Sequence, residues 1–461
     1  MTCPALDLDR SRHRAGRRIL PVALALAATL ALAAALVLLA GCGGGGDGDA
    51  APTSPAPRTT VLVGIDALDW QVLEPLIEQG RAPTFAGLRE AGTSGVNLSF
   101  VPLEKSPLIW ASMATGLEPG EHGVGGFVKD DGEGEISLSS AADWQAPAIW
   151  DIAGAAGLES CVIGWWVTYP AREIAGVLVS DYLTFTTGGA RNPEGLVRPA
   201  ELTEELAALT VDWREVPVEL LAELAPRAPR ERLADPDDPA FRDLRLAIAG
   251  DLSYLATAEA LAARQRYDFF AVYFRGFDLV CHHYWRYWRA GDGPEASPAD
   301  QALFGEIVPG YLLLLDRWLG RLLPQLPSEA NLVVVSDHGF YGPRRDRDGT
   351  LRKGVSEHRP EGSLLIRSPL YVAGSHFDRS FVLDFTPTLL ALLGLPASQE
   401  MPGRVLRQNL TPAALPYVQH LEANRLATYA PLAPAPPPAV QNDPALDAAV
   451  KKQLRSLGYV D

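Results

Sequence analysis

Cysteine is scarce in this chain: Cys3, Cys42, Cys161 and Cys281 are the only four in 461 residues. So few, with no CxxC pair among them, cannot form a disulfide-stapled scaffold and speak against a thiolate zinc site. Histidine is scarce as well, at eight residues, so any metal centre must combine imidazole with Asp or Glu. Cationic charge is in deficit: 40 Lys and Arg face 56 Asp and Glu, a formal net charge of -16. No nucleic-acid polymer is expected as a partner, because phosphate backbones need basic patches. An acidic protein can still take phosphate where metal ions supply the local positive charge. No internal repeat is visible.

What is present is a large apolar share, 47%, enough for a sizeable globular core. Three apolar runs end in polar chemistry. TVLVGID (60–66) closes on Asp66, YDFFAVYFRGFD (267–278) runs out to Asp278, and NLVVVSDHG (331–339) closes on Asp337 and His338. Continuous β-branched and aromatic runs predict strands buried on both faces, as in a parallel sheet. Helical spacing marks the stretches 83–92, 251–266 and 311–326 between or beside them. The alternation predicts an α/β fold with a doubly wound, mostly parallel sheet. In such a fold ligands sit beyond the carboxyl ends of the strands, where all three acidic clusters fall.

The stretch FDLVCHHYWRYW (277–288) sharpens this. A carboxylate in so apolar a setting is costly unless it is paired or bound to a metal. Asp278 and His282 are four residues apart, so on a helix they share a face. With Asp66, Asp337, His338 and His358 they make three carboxylates and three imidazoles, enough for two zinc-like ions in mixed sites. Two ions about 4 Å apart suit in-line displacement at phosphorus. His283 adjoins His282, but the spacing favours His282. His376 and His420 have no partner motif, and Cys281 reads as packing. Cys161 and Cys281 are expected as buried free thiols.

The first sixty residues read as a targeting segment. A basic stretch, RSRHRAGRR (10–18), precedes a long apolar run over 19–41, then Cys42 and a Gly-rich tail. The ending LAGC (39–42) resembles the lipobox of bacterial lipoproteins. That resemblance implies cleavage before Cys42, lipidation of Cys42 and, with Gly43 rather than Asp, outer-membrane sorting. The alternative is an uncleaved membrane anchor, since the run is long enough to span. Either way the remainder is expected to be exported to the cell envelope; on the lipobox reading it is lipid-anchored, at the outer membrane or periplasmic face.

The segment PLEKSPLIWASMATGLEPGEHGV (102–124) carries a further resemblance. Its TGLEPGEHG (115–123) matches a TG-x-x-P-x-x-HG signature, with Ser106 nine residues before Thr115. Here the chain resembles the alkaline phosphatase superfamily, most closely its type I phosphodiesterase/nucleotide pyrophosphatase branch. The resemblance runs over about 60–408. It implies that Ser106 is the nucleophile at a helix N-terminus and that His122 is structural. It also implies Asp66, Ser106, Asp337 and His338 on one metal ion, and Asp278, His282 and His358 on the other. The cofactors it implies are two divalent ions, zinc or alternatively manganese. One departure stands out: no Asn follows the HG pair where many nucleotide pyrophosphatases carry one, so nucleotide diesters are in doubt as substrates. A sulfatase is set aside, because SPLIW lacks the C/S-x-P-x-R frame for formylglycine. An Arg of RRDRD (344–348) is within sequence reach of a phosphate oxygen, although a solvated loop is the simpler reading.

The expected organisation is a lipoprotein signal peptide (1–41), a flexible tether (42–58) and a metallohydrolase domain (59–425). A cap or insertion falls at about 128–250, and a Pro-rich linker (426–444) and a C-terminal helix (445–461) follow. The expected function is hydrolysis of a phosphoester substrate, a diester or monoester, by a phosphodiesterase or phosphatase tethered to the membrane through its N-terminal lipid. Head-group transfer on the same fold, or a non-catalytic envelope lipoprotein, are the alternatives.

Overall fold

The computed structural model describes residues 52–56, 58–130, 136–186, 194–289, 296–342, 344–345, 351–352, 357–437, 440, 444–457 and 459. The signal segment, Cys42 and the side chains of the loop at 344–348 lie outside them.

Nine strands form one sheet. They are β1 (Thr60–Ile65), β2 (Thr93–Leu98), β3 (Ser160–Ile163), β4 (Gly176–Val179), β5 (Val197–Arg198), β6 (Phe269–Phe274), β7 (Asn331–Val335), β8 (Glu361–Arg367) and β9 (Ser375–Phe381). Their order is β9-β2-β8-β7-β1-β6-β3-β4-β5. β1 pairs in parallel with β6 and β7, and the parallel run continues through β3 and β4. β8 and β5 run against their neighbours. This is the doubly wound α/β architecture expected from the sequence.

The strands alternate between two apolar cores. Val61, Val63 and Ile65 of β1 join one cluster with Phe270, Val272 and Phe274 of β6 and Leu332 and Val334 of β7. Leu62, Phe269, Ala271, Tyr273, Val333 and Val335 join the other. The apolar runs follow from this: both faces are covered, and the polar Thr60 and Asn331 stand only at the first positions of β1 and β7. Gly64 lets Trp110 and Tyr273 close onto β1, because a Cβ there would lie 2.9 Å from each ring.

The helices that frame the site are α1 (Trp70–Glu78), α2 (Pro83–Ala91), α3 (Ser106–Thr115), α4 (Arg242–Arg264), α5 (Gly276–Trp288), α6 (Ile307–Leu322), α7 (Phe385–Leu392) and α8 (Pro444–Leu457). Asp69 caps α1 by accepting from the Gln71 amide at 2.7 Å. Asp316 of α6 accepts from the Thr84 and Phe85 amides, which ties down the start of α2. α3 is buried along its whole length and ends at Gly116 with φ 73°, a left-handed stop that favours glycine.

Three expectations shift. α4 begins at Arg242, nine residues before the start read from periodicity, and Leu244, Arg245, Ala247 and Ile248 of its first turns are buried. α6 begins at Ile307 and passes at Leu323–Gln325 into a short 3₁₀ turn that contains Pro324; a proline cannot continue the helix. Asp278 does not end a strand: β6 stops at Phe274 and Asp278 lies in the first turn of α5. The stretch at about 128–250 is mixed, since it supplies β3, β4 and β5 to the main sheet as well as short helices. Cys161 and Cys281 are buried free thiols.

Candidate metal centre

Each of the three central strands delivers an acid just past its carboxyl end. Asp66 follows β1, and its amide donates to the Phe274 carbonyl at 2.9 Å. Asp337 and His338 follow β7 by two and three residues. Asp278 enters through α5, and its i,i+4 partner His282 brings Nε2 to 3.4 Å from Asp278 Oδ2. His358 arrives by a two-residue antiparallel ladder in which it faces Phe340. The Phe340 amide is held by Asp69 Oδ2 at 3.0 Å, so an acid that caps α1 also fixes the return of this loop. Ser106 is the first residue of α3, is 2% exposed, and sets its Oγ 3.1 Å from His338 Nε2.

All seven residues expected at the site therefore converge in one buried place. Asp66, Asp337 and His338 offer ligand atoms within 4.8 Å of one another, and so do Asp278, His338 and His358. His338 Nε2 is 3.3 Å from Asp66 Oδ1 and 3.4 Å from Asp337 Oδ2. His358 Nε2 is 3.2 Å from Asp278 Oδ1 and 3.0 Å from His282 Nε2. The His338 and His358 rings stack at 3.9 Å between centroids, which joins the two groups.

Burial dominates the electrostatics. It raises the Asp66 carboxyl to about 6, helped by the nearby Asp278 charge. It raises Asp337 well above the carboxylate range, with Asp66 adding to the effect. His338 falls to about 4 through burial and the neighbouring His358. For His282 burial acts against the charged ring, but Asp278 and Glu357 outweigh it and bring the group up to about 10.

These residues fit a pair of cations. His338 Nδ1 donates to the Gly339 carbonyl at 3.1 Å, which assigns the ring proton there and leaves the Nε2 lone pair facing two carboxylates. Asp66 Oδ1, Asp278 Oδ1 and both oxygens of Asp337 are buried without a hydrogen-bond partner. Such groups are costly in a protein interior unless a charge of opposite sign meets them. Tetrahedral bonds of about 2.0–2.1 Å separate neighbouring ligand atoms by about 3.3–3.4 Å, and the Ser106, Asp66 and Asp337 distances to His338 Nε2 lie close to that.

Several participants carry no sequence signal. The Tyr273 hydroxyl donates to Asp66 Oδ2 in a short hydrogen bond and accepts from Trp166 Nε1 at 2.6 Å. Glu357, 3% exposed, accepts from His282 Nδ1 at 2.8 Å; its only hint is adjacency to His358. Arg275 donates to Thr184 Oγ1 at 2.6 Å and lies over the Phe185 ring at 4.0 Å. A pocket of about 420 Å³ of empty space touches Asp66, Ser106, Asp278 and Arg275. Conversely His283 turns to Asp243 at 3.4 Å on α4, away from the centre. His122 is buried against Ser112 Oγ at 3.0 Å, and burial brings it down to about 4, in keeping with a structural role.

A mostly parallel sheet whose strand ends carry buried carboxylates and imidazoles around a serine is the frame of this centre. The sequence model of the type I phosphodiesterase / nucleotide pyrophosphatase family matches residues 60–350, and the chain belongs to that family. No curated protein sequence gives a significant match. Among solved structures, phosphonoacetate hydrolase from Sinorhizobium meliloti 1021 is 20% identical with a TM-score of 0.40, over 64% of this chain and 60% of that one. Human ectonucleotide pyrophosphatase / phosphodiesterase 5 is 14% identical with a TM-score of 0.44, over 76% of this chain and 98% of that one. The chain thus spans under two thirds of the phosphonoacetate hydrolase and nearly all of the human protein.

Proposed function

We propose that this protein is an exported, membrane-tethered phosphoester hydrolase that works through a phosphoseryl intermediate at Ser106. The observation that carries the reading is the Ser106 hydroxyl, buried at the start of α3 and 3.1 Å from His338 Nε2. It borders the same pocket as Asp66 and Asp278. In the proposed assignment Asp66, Asp337, His338 and Ser106 hold one divalent ion and Asp278, His282 and His358 hold the other. Zinc suits these donors, and manganese is compatible with the carboxylates. Bound there, the ions supply Lewis acidity that lowers the pKa of the hydroxyl and offsets phosphoryl charge.

The chain's own groups do the rest. Ser106 Oγ gives up its proton to solvent and attacks phosphorus, an Oγ–P bond forms, and the bond to the leaving oxygen breaks as that oxygen takes a proton from solvent and departs as the alcohol. Water then attacks phosphorus and frees Ser106. Pro107 has no N–H, and the Leu108 and Ile109 amides donate to the Lys105 carbonyl, so α3 favours the anion through the positive end of its dipole. Tyr273 orients Asp66, and Glu357 fixes the ring of His282 by accepting its Nδ1 proton. Phe127, Trp166 and Phe185 wall the pocket and limit water.

The test is a panel of phosphomonoesters, phosphodiesters and sulfate esters given to zinc- or manganese-loaded protein. Turnover of a phosphoester with release of free alcohol is expected, and sulfate esters should be left intact. Metal-loaded protein that turns over no phosphoester leaves the binding-lipoprotein alternative in its place.

A further inference from the structure

α8 lies beyond the residues that the family model covers, yet it reaches the centre of the site. Val450 and Leu454, each 4% exposed, belong to the main apolar cluster, and the helix packs against the turn Leu183–Thr186. Two residues past its end, Tyr459 is 6% exposed. Its ring centroid is 4.5 Å from that of Phe127 and 5.6 Å from that of His282. Gln453, Leu454 and Tyr459 form one wall of the pocket that Ser106 borders.

The position of the hydroxyl is the informative feature. Tyr459 Oη is 3.0 Å from His282 Nε2 and 3.3 Å from His358 Nε2. Those nitrogens are 3.0 Å apart, and the Asp278 oxygens lie 3.4 and 3.2 Å from them. Asp278 uses Oδ2 toward His282 and Oδ1 toward His358, so among Tyr459 Oη, the two nitrogens and either Asp278 oxygen these distances give four of the six separations. They are close to the edge of about 3.3–3.4 Å expected for tetrahedral bonds of about 2.0–2.1 Å.

We infer that Tyr459 is the fourth ligand of the Asp278, His282 and His358 metal position. It is supplied by the segment after α8 and occupies the place that a phosphoester oxygen needs. The inference rests on the dinuclear reading above. A catalytic zinc site keeps one position open for water or substrate. With Tyr459 in that position the site is closed, and α8 has to withdraw before substrate enters.

Zinc titrated into the full chain and into Tyr459→Phe tests this, with the ultraviolet difference absorption of coordinated tyrosine and competition by a chelator as readouts. In the wild type one zinc equivalent should produce the tyrosine band. Tyr459→Phe should lack the band and hold that equivalent about tenfold or more weakly. At saturating zinc the variant should show a higher kcat/KM on a phosphodiester, since substrate no longer displaces a ligand. Leu454→Glu undocks α8 without changing any atom of the metal site, and it should reproduce both the lost band and the faster turnover. Two equivalents bound equally well by wild type and Tyr459→Phe, with no band in either, overturn the role of Tyr459 and leave the dinuclear reading standing. Failure of both proteins to bind zinc overturns both. A variant with unchanged zinc affinity and lower kcat/KM makes Tyr459 a substrate contact and also overturns the ligand assignment.

Discussion

Ser106 could be a helix cap or a nucleophile, and the two roles separate on geometry. The N-cap of α3 is Lys105, whose side chain makes no capping bond, and Ser106 is the residue after it. Ser106→Ala therefore removes no cap. It loses one hydrogen bond to His338, worth about 1 kcal/mol, while losing a covalent nucleophile costs on the order of 10⁴ or more in rate. Thermal melting and turnover on one sample should show a nearly unchanged midpoint and an activity loss of that size. A variant that turns over phosphoester at close to the wild-type rate removes the covalent mechanism. The residues legible in the sequence share a trait: Asp66, Asp278 and Asp337 are acids that interrupt or end apolar runs, which is costly without a purpose. Tyr273, Glu357 and Tyr459 were not legible. A tyrosine in a strand or after a helix looks like ordinary packing, and the partners of Glu357 and Tyr459 in the site, His282 above all, lie at least 75 residues away in the chain.

At the scale of elements, the junction of α4, α5 and α6 is where pH should act. Asp251 of α4 accepts from the Gly276 amide at 3.1 Å and from the Tyr311 hydroxyl at 2.9 Å, so one carboxyl ties the start of α5 to α6. Burial raises it to about 7 against an ordinary value of 3.8. The folded state thus holds this proton more tightly than the unfolded chain. Its contribution to stability is fully present below about pH 4 and is lost as pH rises through about 7. Asp251→Asn imitates the protonated acid at every pH, since its amide accepts from Gly276 and donates to the Tyr311 oxygen. The variant should match the wild type near pH 4 and exceed it at pH 8, by an amount on the order of a few kcal/mol. Urea midpoints across that range check it, and a difference that stays constant with pH removes Asp251 as the cause. The central strands and α2 were legible because burial on both faces and a proline at the first helical position leave plain patterns. β2 and β9 were not: TSGVNL has no apolar run, and SHFDRSF is an edge strand in which His376, Asp378 and Arg379 face solvent. Pairing with β8 and with each other makes these strands, and local propensity does not reveal it.

At the scale of the whole molecule, the acidic body and its proposed attachment to a membrane have to be reconciled. A net charge of -16 is repelled by anionic lipid headgroups, so surface attraction cannot hold the protein there. Among the described residues one helix is long and apolar enough to cross a bilayer, Arg242–Arg264. That helix is α4, which buries Arg245 and Asp251 in the interior and packs on α5 and β6, so it is a core element. Attachment then falls to the apolar run at 19–41 and to Cys42, and the proposal of lipidation at Cys42 predicts a specific failure. A lipid anchor is chemical: without the thiol there is nothing to acylate, and the acyl chains that hold the protein are lost. Cys42→Ala should therefore leave the membrane fraction or accumulate at the mass of the unprocessed precursor. Fractionation with intact-mass measurement separates the outcomes. A variant that stays membrane-bound at the same mass as the wild type is held by residues 19–41 as a spanning helix, because that attachment needs no cysteine.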